Sequence, residues 1–402
     1  MRYSLALIAV LVLALIVRID VAFERDGWPS LAEEAEWERA ALVYESVGLL
    51  ASYDVAARPP LYPLFVSANY SVFGGRPLVG RVIQACLGCL TCWVAFQLGR
   101  KTLGRRTGLV AAGLCAVHPA FVFYAGILIS DTLFIFLIAL TMTAALGFSE
   151  RPTHSRGFLL GATLGLASLC SQVALLWVPL LVGALLLTGG REAVGPVSKV
   201  LCAMMLVILP WTIRNQIVSG RFVPIAQRVG FDLLVGHEPG ANGRYRDELR
   251  YLGMYGELSN DVENVVDRDR RVAEVVAGWM VDDPFRSLTL GGRKLLHLWS
   301  PFTYREGRGL NLFSLAVIAP VLVLGLWGAI HHRHQPIGWL ALSLAITISL
   351  VHTITYAEGR FRLPVDFALL VPAADRGIVV ASGVWTKVQA RWRELADGGD
   401  AG

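Results

Sequence analysis

The sequence predicts an all-α polytopic membrane protein of about ten transmembrane helices. Three observations carry that prediction. The 402-residue chain is 55% hydrophobic. Only 17% of it is charged, where a soluble domain is nearer a quarter. Apolar runs recur from Leu5 to Ala381, so the bilayer rather than a single core buries these helices.

The spans are expected at about 4–22, 77–99, 107–124, 128–148, 157–170, 172–188, 198–213, 310–331, 336–355 and 361–382. Met1 to Ala22 has the Arg-then-apolar look of a signal peptide. No A-x-A site follows and further spans do, so it reads as an uncleaved first helix. The segments 157–170 and 172–188 are short and separated only by the polar break at Ser171 and Gln172. Leu61–Phe73 and Leu288–Trp299 are too short to span and read as interfacial or re-entrant helices.

Basic short loops at 99–108, 149–157, 189–199 and 331–336 fall on one side, with Lys387, Arg391 and Arg393 of the tail. By the positive-inside rule that side is cytoplasmic. The other side receives 23–76, the polar insert 214–309 and the turns 119–127 and 356–360. The expected organisation is an N-terminal transmembrane module (1–213) whose first outer loop is 23–76, an extracytoplasmic insert (214–309), C-terminal transmembrane helices (310–382) and a basic tail (383–402).

The outer loops hold the residues with chemical potential. "SLAEEAEWERAA" (30–41) packs Glu33, Glu34, Glu36 and Glu38 around Trp37. Ser30 and Glu33 spell a capping box, so Glu33 is open to two readings, helix cap or functional carboxylate. Arg58 precedes Pro59 and Pro60, which hold it on a stiff extended stalk. Tyr62 suits an interfacial helix. Arg81 sits at the outer end of a span, where snorkelling is the plain alternative to a role. Asp131 opens the fourth span, as an N-cap or as a costly intramembrane acid facing a cavity. Arg214, Asn215, Arg221 and Arg228 open the insert. Glu358, Arg360 and Arg362 stand at the outer mouth of the last span. Three distant regions thus bring arginines to one interface, and carboxylates arrive there from two others. Arginine favours forked contacts with phosphate oxygens, so a phosphate-bearing lipid is the expected ligand.

Other motifs point to bland roles. Cys86 and Cys89 spell C-x-x-C, but on a membrane helix without nearby histidine they read as packing residues. Asp267-Arg268-Asp269 is a D-x-D in a run of alternating charge, which reads as a solvated helix face. His331, His332 and His334 lie in a basic loop. No phosphate-cradling glycine loop occurs. No metal, resident cofactor or nucleic-acid partner is expected.

The pieces "EEAEWERAA", "RPPLYPLF", "GRVIQACLG", "ISDTLFIFLIAL", "LPWTIRNQIVSGRFVPI" and "EGRFRLP" occur in the order seen in one family. The chain resembles the GT-C membrane glycosyltransferases that use polyprenyl-phosphate sugars. The nearest group is that of the dolichyl-phosphate-mannose protein mannosyltransferases and bacterial lipid A aminoarabinose transferases (glycosyltransferase family 39 and its relatives). The resemblance implies a GT-C bundle with juxtamembrane helices in the first outer loop. It implies that Glu33, four residues before Trp37, is the catalytic base, where relatives usually carry Asp and Tyr; Glu34 is the alternative. Asp131 matches a second acid. Arg58, Arg81, Arg360 and Arg362 match donor-phosphate contacts, and Trp37, Tyr62, Arg214 and Glu358 the substrate lining. Gln172 stands where relatives often have Arg.

The implied reaction moves a sugar from a polyprenyl-phosphate donor to a hydroxyl of a protein, lipid or glycan acceptor. It would be an inverting single displacement at the outer face of the plasma (inner) membrane. The rival expectations are a transporter or lipid flippase and a non-catalytic lipid-binding relative.

Overall fold

The computed structural model describes residues 2–27, 31–50, 58–245, 248–302 and 308–397. The described chain is helical, with no strand among the described residues. The helices are α1 (Arg2–Glu24), α2 (Ala32–Ser46), α3 (Leu61–Phe73), α4 (Pro77–Thr102), α5 (Arg105–Val117), α6 (Pro119–Ala125), α7 (Asp131–Glu150) and α8 (His154–Cys170). They continue with α9 (Val173–Ser219), α10 (Val229–His237), α11 (Glu248–Ser259), α12 (Val265–Asp282), α13 (Pro284–Leu298), α14 (Arg308–His331), α15 (Pro336–Ile354) and α16 (Leu363–Asp397).

Among the described residues, seven helices are long and apolar enough to cross a bilayer: α1, α4, α7, α9, α14, α15 and a stretch over Gly359–Thr386 that includes the first part of α16. They become eight if α5 and α6, bent by 54°, count as one span. The chain is a multi-pass membrane protein. The expected count of about ten differs in two places. Helix α8 has 17 residues and falls just short of a spanning length. Helix α9 merges the expected segments 172–188 and 198–213 into 47 residues.

A straight helix of that length would reach roughly 70 Å, more than twice the ~30 Å hydrocarbon core. It does not run straight, because Gly190 takes a non-helical conformation (φ 59, ψ −150) that favours glycine. Both ends of α9 also meet one loop. Gln172 Nε2 donates to Ala226 O at 2.6 Å, and Trp211 Nε1 donates to Ile225 O at 2.9 Å. The helix is therefore a hairpin that turns at Gly190. Its return arm lies along α8, where Gly157, Gly161 and Gly165 repeat every four residues. A Cβ on Gly161 would stand 2.1 Å from Val200 O, so only glycine lets the two backbones approach this closely.

Buried charge locks the bundle. Arg18, in the C-terminal half of α1, donates to Ala14 O (3.1 Å), Ala116 O (3.0 Å) and Cys115 O (2.9 Å), tying α1 to the end of α5. Arg362 donates to Asp366 Oδ1 (2.7 Å) and to Leu298 and Ser300 carbonyls, joining α16 to the end of α13.

At one end of the bundle lie α2 and α3, packed on each other. Helix α3 occupies the stretch expected to be interfacial and ends on Gly74 in the left-handed region. The Ser30 half of the expected capping box lies outside the described residues. Helix α2 begins after Leu31, which offers no side-chain cap. At the same end α10 to α13 form the insert. Helix α13 covers the expected 288–299 stretch and behaves as an interfacial helix does. It buries Leu290, Lys294 and Leu298 and leaves Phe285, Leu288 and Leu296 exposed.

Candidate functional site

A cavity of about 260 Å³ opens at this end, walled by α2, α7, α8, α9, α10, α15 and the start of α16. Its charged lining is balanced. Arg58, Arg228 and Arg360 face it, with Glu33, Asp131 and Asp232. Phe134, Val173, Leu176 and Val351 make an apolar wall. Leu176, in this wall, is 54% exposed.

Each cation is held by its own chemistry. Arg58, fixed by the two prolines after it, lies over the Trp37 ring at 4.6 Å and pairs with Glu36. Burial, and then the charge of Arg228, pull its pKa down to about 10, which still leaves it charged at neutral pH. Arg360 sits on the 3₁₀ turn Gly359–Arg362. Its Nη1 is 2.6 Å from Glu33 Oε2, and its Nε is 2.9 Å from Glu358 Oε2. Arg228 precedes α10, lies over Phe231 at 4.6 Å and bonds Asp232 Oδ1 at 3.1 Å. The start of α10 is held in turn by Asp269, which accepts from Gly230 N (2.9 Å) and Phe231 N (3.0 Å). Asp131 lines the cavity without an ion pair among the described residues.

The neighbours Glu33 and Glu34 take opposite directions. Glu33 lines the cavity and its side chain is 37% exposed. Burial pushes its pKa up, but the nearby arginines, Arg360 foremost by charge and hydrogen bond, together outweigh burial and hold the carboxyl below its ordinary value. Arg58 and Arg228 act in the same sense. Glu34 has a side chain only 3% exposed. It accepts from Arg81 Nη2 (2.9 Å) and Leu128 N (3.0 Å), so it is committed to holding α2 against α4 and the 126–130 loop.

Six of the expected site residues lie outside the cavity lining, each for a local reason. Glu34 and Arg81 are bonded to each other, and Asp26 adds a contact to Arg81 at 3.5 Å. Arg362 is buried among Asp366 and the 298–300 carbonyls. Tyr62 is buried, with its hydroxyl donating to Gln84 Oε1 at 2.7 Å. It packs edge-on against Trp37 and so supports the lining from behind. Arg214 lies over Trp211 at 4.7 Å and donates to Leu49 O at 2.7 Å. Glu358 holds Arg360 rather than facing the cavity. The residues that do come together are Glu33, Trp37, Arg58, Asp131 and Arg360.

The sequence reading did not select Arg228, Asp232 or Tyr356, which also line the cavity. The signal available was the cluster of arginines opening the insert. Among them only the tertiary structure separates Arg228 from Arg221, which forks onto Asp267 at 2.7 Å. That pairing also splits the D-x-D: Asp267 turns to Arg221 and Asp269 to the α10 amides, so the two do not share a ligand position. No group of three metal-ligating side chains occurs among the described residues.

Comparison with known proteins agrees with this architecture. Residues 57–213 match the family described as dolichyl-phosphate-mannose-protein mannosyltransferase. A 62-residue segment is 40% identical to protein O-mannosyl-transferase Tmtc1 of Drosophila melanogaster, covering 15% of this chain and 7% of that protein. The oligosaccharyltransferase AglB of Archaeoglobus fulgidus, solved with an inhibitory peptide and a dolichol-phosphate, overlays with a TM-score of 0.56 at 15% identity. The overlay covers 99% of this chain and 52% of AglB. A second structure of the A. fulgidus enzyme, with Zn and sulfate, overlays at 0.58, also at 15% identity, over 97% of this chain and 51% of that one. The chain thus spans about half the length of these solved relatives, and at such identity the likeness is one of fold. The fold is shared along nearly the whole chain, and the family match covers residues 57–213 within it.

Proposed function

We propose that the chain transfers a sugar from a polyprenyl-phosphate donor to an acceptor hydroxyl, with the cavity as the active site. The observation that carries this reading is the Glu33–Arg360 pair in a cavity that also holds Arg58 and an apolar wall with the half-exposed Leu176. Three features support the donor class. The cavity offers cations for a phosphate, an apolar wall for the start of a polyprenyl chain, and polar groups such as Gln172 and Tyr356 for a sugar.

The acceptor oxygen attacks C1 as the C1–O bond to phosphate breaks. The bonding pair leaves with the phosphate, whose charge rises by one, so Arg58 and Arg360 would stabilise the leaving group. The acceptor proton passes to the Glu33 carboxylate. Phosphate is a good leaving group, so a second carboxylic acid to protonate it is not needed, unlike in glycoside hydrolysis. A one-step displacement inverts C1. Asp131 would orient the acceptor or Glu33.

The resting pair suggests how the base is armed. While Arg360 binds Glu33, the carboxylate is a weak base. An arriving phosphate competes for the same guanidinium fork. Its capture of Arg360 would release Glu33 and raise its basicity when the donor is in place. The end opposite the cavity carries Arg100, Lys101, Arg105, Arg106, Arg151, Arg191 and Arg333. That charge supports a cytoplasmic placement for it and an outward-facing site in the plasma (inner) membrane. The acceptor remains one of protein, lipid or glycan.

The test is to incubate the purified chain with labelled polyprenyl-phosphate sugars and candidate acceptors and follow label leaving the lipid. Transfer with inversion at C1 is the expected result. No turnover of any donor, together with coupled flux in liposomes, would replace the enzyme reading with the transporter one.

A further inference from the structure

Lys294 has a wholly buried amine with no part in the proposed chemistry. It lies on α13, on the face turned away from the exposed Phe285, Leu288 and Leu296. Its Nζ stands 3.0 Å from Ile354 O, at the C-terminus of α15, and 3.2 Å from His237 Nε2, at the end of α10. His237 Nδ1 is 3.2 Å from Leu233 O. That geometry places the imidazole proton on Nδ1 and leaves Nε2 to accept from Lys294. Space for the amine is made by Gly236 and Gly243, where an added Cβ would meet Lys294 Nζ at 2.9 Å and Cγ at 2.8 Å.

The two helices that meet at this amine are those that carry the cavity. Helix α10 bears Asp232 and follows directly on Arg228. The C-terminus of α15 leads at once into Thr355, Tyr356 and Arg360, all in the cavity wall. Further bonds fasten the same corner: Ala357 N to Gly243 O at 3.0 Å, and His352 Nδ1 to Tyr356 O at 2.9 Å. A cation on the last carbonyls of α15 also complements that helix's C-terminal dipole.

We propose that Lys294 is a positioning residue that clamps α13, α10 and the 355–360 turn together and so fixes Arg360 against Glu33. The proposal rests on the transferase reading for the meaning of the turn, and on geometry alone for the clamp. The groups around the amine are His237 on α10, Arg286 and His297 on α13, and Arg244 and Glu238 on the loop between α10 and α11. Helix α15 presents the Ile354 carbonyl and His352. Arg286 donates to His237 O (3.1 Å) and Glu238 O (2.6 Å), and Arg244 Nη2 lies 2.8 Å from His297 Nδ1. Arg286 thus adds like charge near Lys294. Burial first, and Arg286 second, pull the Lys294 pKa down to about 7. Burial and Lys294 pull His237 down to about 4, which keeps the imidazole neutral at working pH. The amine is therefore charged below about pH 7 at a cost to the closed clamp, and above it the neutral amine still donates to Ile354 O and His237 Nε2 without that cost.

Amide hydrogen exchange on the full chain in lipid nanodiscs tests this. In the wild type, protection of residues 355–362, corrected for intrinsic exchange, should rise as pH rises from 6 to 8, because the opened amine holds its proton more strongly than the buried one. Lys294→Met should raise exchange of that turn about tenfold at pH 8, leave α4 and α7 unchanged and abolish the pH dependence. His237→Gln keeps an acceptor and should preserve most of the protection. With labelled polyprenyl-phosphate mannose as probe, Lys294→Met should lower kcat about tenfold with little change in KM. Exchange at the turn that ignores both pH and Lys294→Met, or that rises equally across the bundle, overturns the clamp. The wild-type pH series needs no variant to fold. A protein that turns over no donor but shows the Lys294-dependent turn retains the clamp and loses the transferase reading.

Discussion

Two acid–arginine pairs made by adjacent residues of α2 show how context sets a carboxylate's task. Glu33 and Arg360 meet in the wall of an open cavity, at 2.6 Å, with a side chain that solvent or ligand reaches. Glu34 and Arg81 meet at 2.9 Å in a dry interior, with the Leu128 amide as a further donor. In the proposed reaction the first pair has an alternative partner, because a donor phosphate would compete for the same arginine. The second has none, and separating it leaves a buried charge. One residue of helical rotation, about 100°, accounts for the difference. Chemistry wants an exchangeable pair, and assembly wants a fixed one.

The comparison is broken most severely by Glu33→Gln. Loss of the proposed base should reduce transfer about 10³-fold or more, with donor binding and folding largely kept. Initial rates per folded molecule measure it, and near-normal rates would end Glu33's role. Next comes Arg360→Gln, which removes one of the two cations meant for the leaving phosphate. A fall of about 10²- to 10³-fold is expected, read in turnover of labelled donor. Glu34→Gln should act elsewhere. Arg81 would lose its charge partner in the interior, at about 3 kcal/mol, and the melting temperature in detergent should drop by several degrees. A turnover loss that matches Glu33→Gln, with no loss of stability, would reverse the assignment of the two glutamates.

The smallest effect is on pH. Arg360 depresses the Glu33 pKa in the resting site. The carboxylate therefore stays ionised until pH falls through that lowered value, and the acid limb of kcat/KM should lie below pH 4.5. The pair's contribution to folding has the same sign: present above the unfolded value and lost on acidification through the folded one. If phosphate takes Arg360, the acid limb of kcat should lie at higher pH than that of kcat/KM. Coincident limbs would show that the arginine does not exchange.

Much of the fold was legible in the sequence because a bilayer simplifies the reading. Helices that cross it must be long and apolar, and the juxtamembrane stretch 61–73 was visible as an apolar run too short to span. The α9 hairpin is instructive. Two segments were read correctly, but the turn between them is a single glycine rather than a loop, so the backbone assignment fuses them. The site was only half legible. Arg58 announced itself through its prolines and Arg360 through its place at the last span. Arg81 and Arg362 had the same residue type and similar positions, yet both face inward. Arg228 was hidden among Arg214, Asn215 and Arg221, Lys294 stood out only as a charge in the short apolar stretch 288–299, and Arg18 drew no notice. A buried cation is revealed by the carbonyls around it, and those come from distant helices.

The sequence by itself determined the solvent this protein lives in, the helices that cross it and the charges available at one end. Those depend on composition and on period along a single chain. Only the tertiary structure decided which charges share a cavity. Side-chain direction there is set by local backbone and by the element packed opposite: the 3₁₀ turn before α16 carries Arg360 to Glu33, α4 turns Arg81 to Glu34, and the residue before α10 brings in Arg228 from more than a hundred residues away.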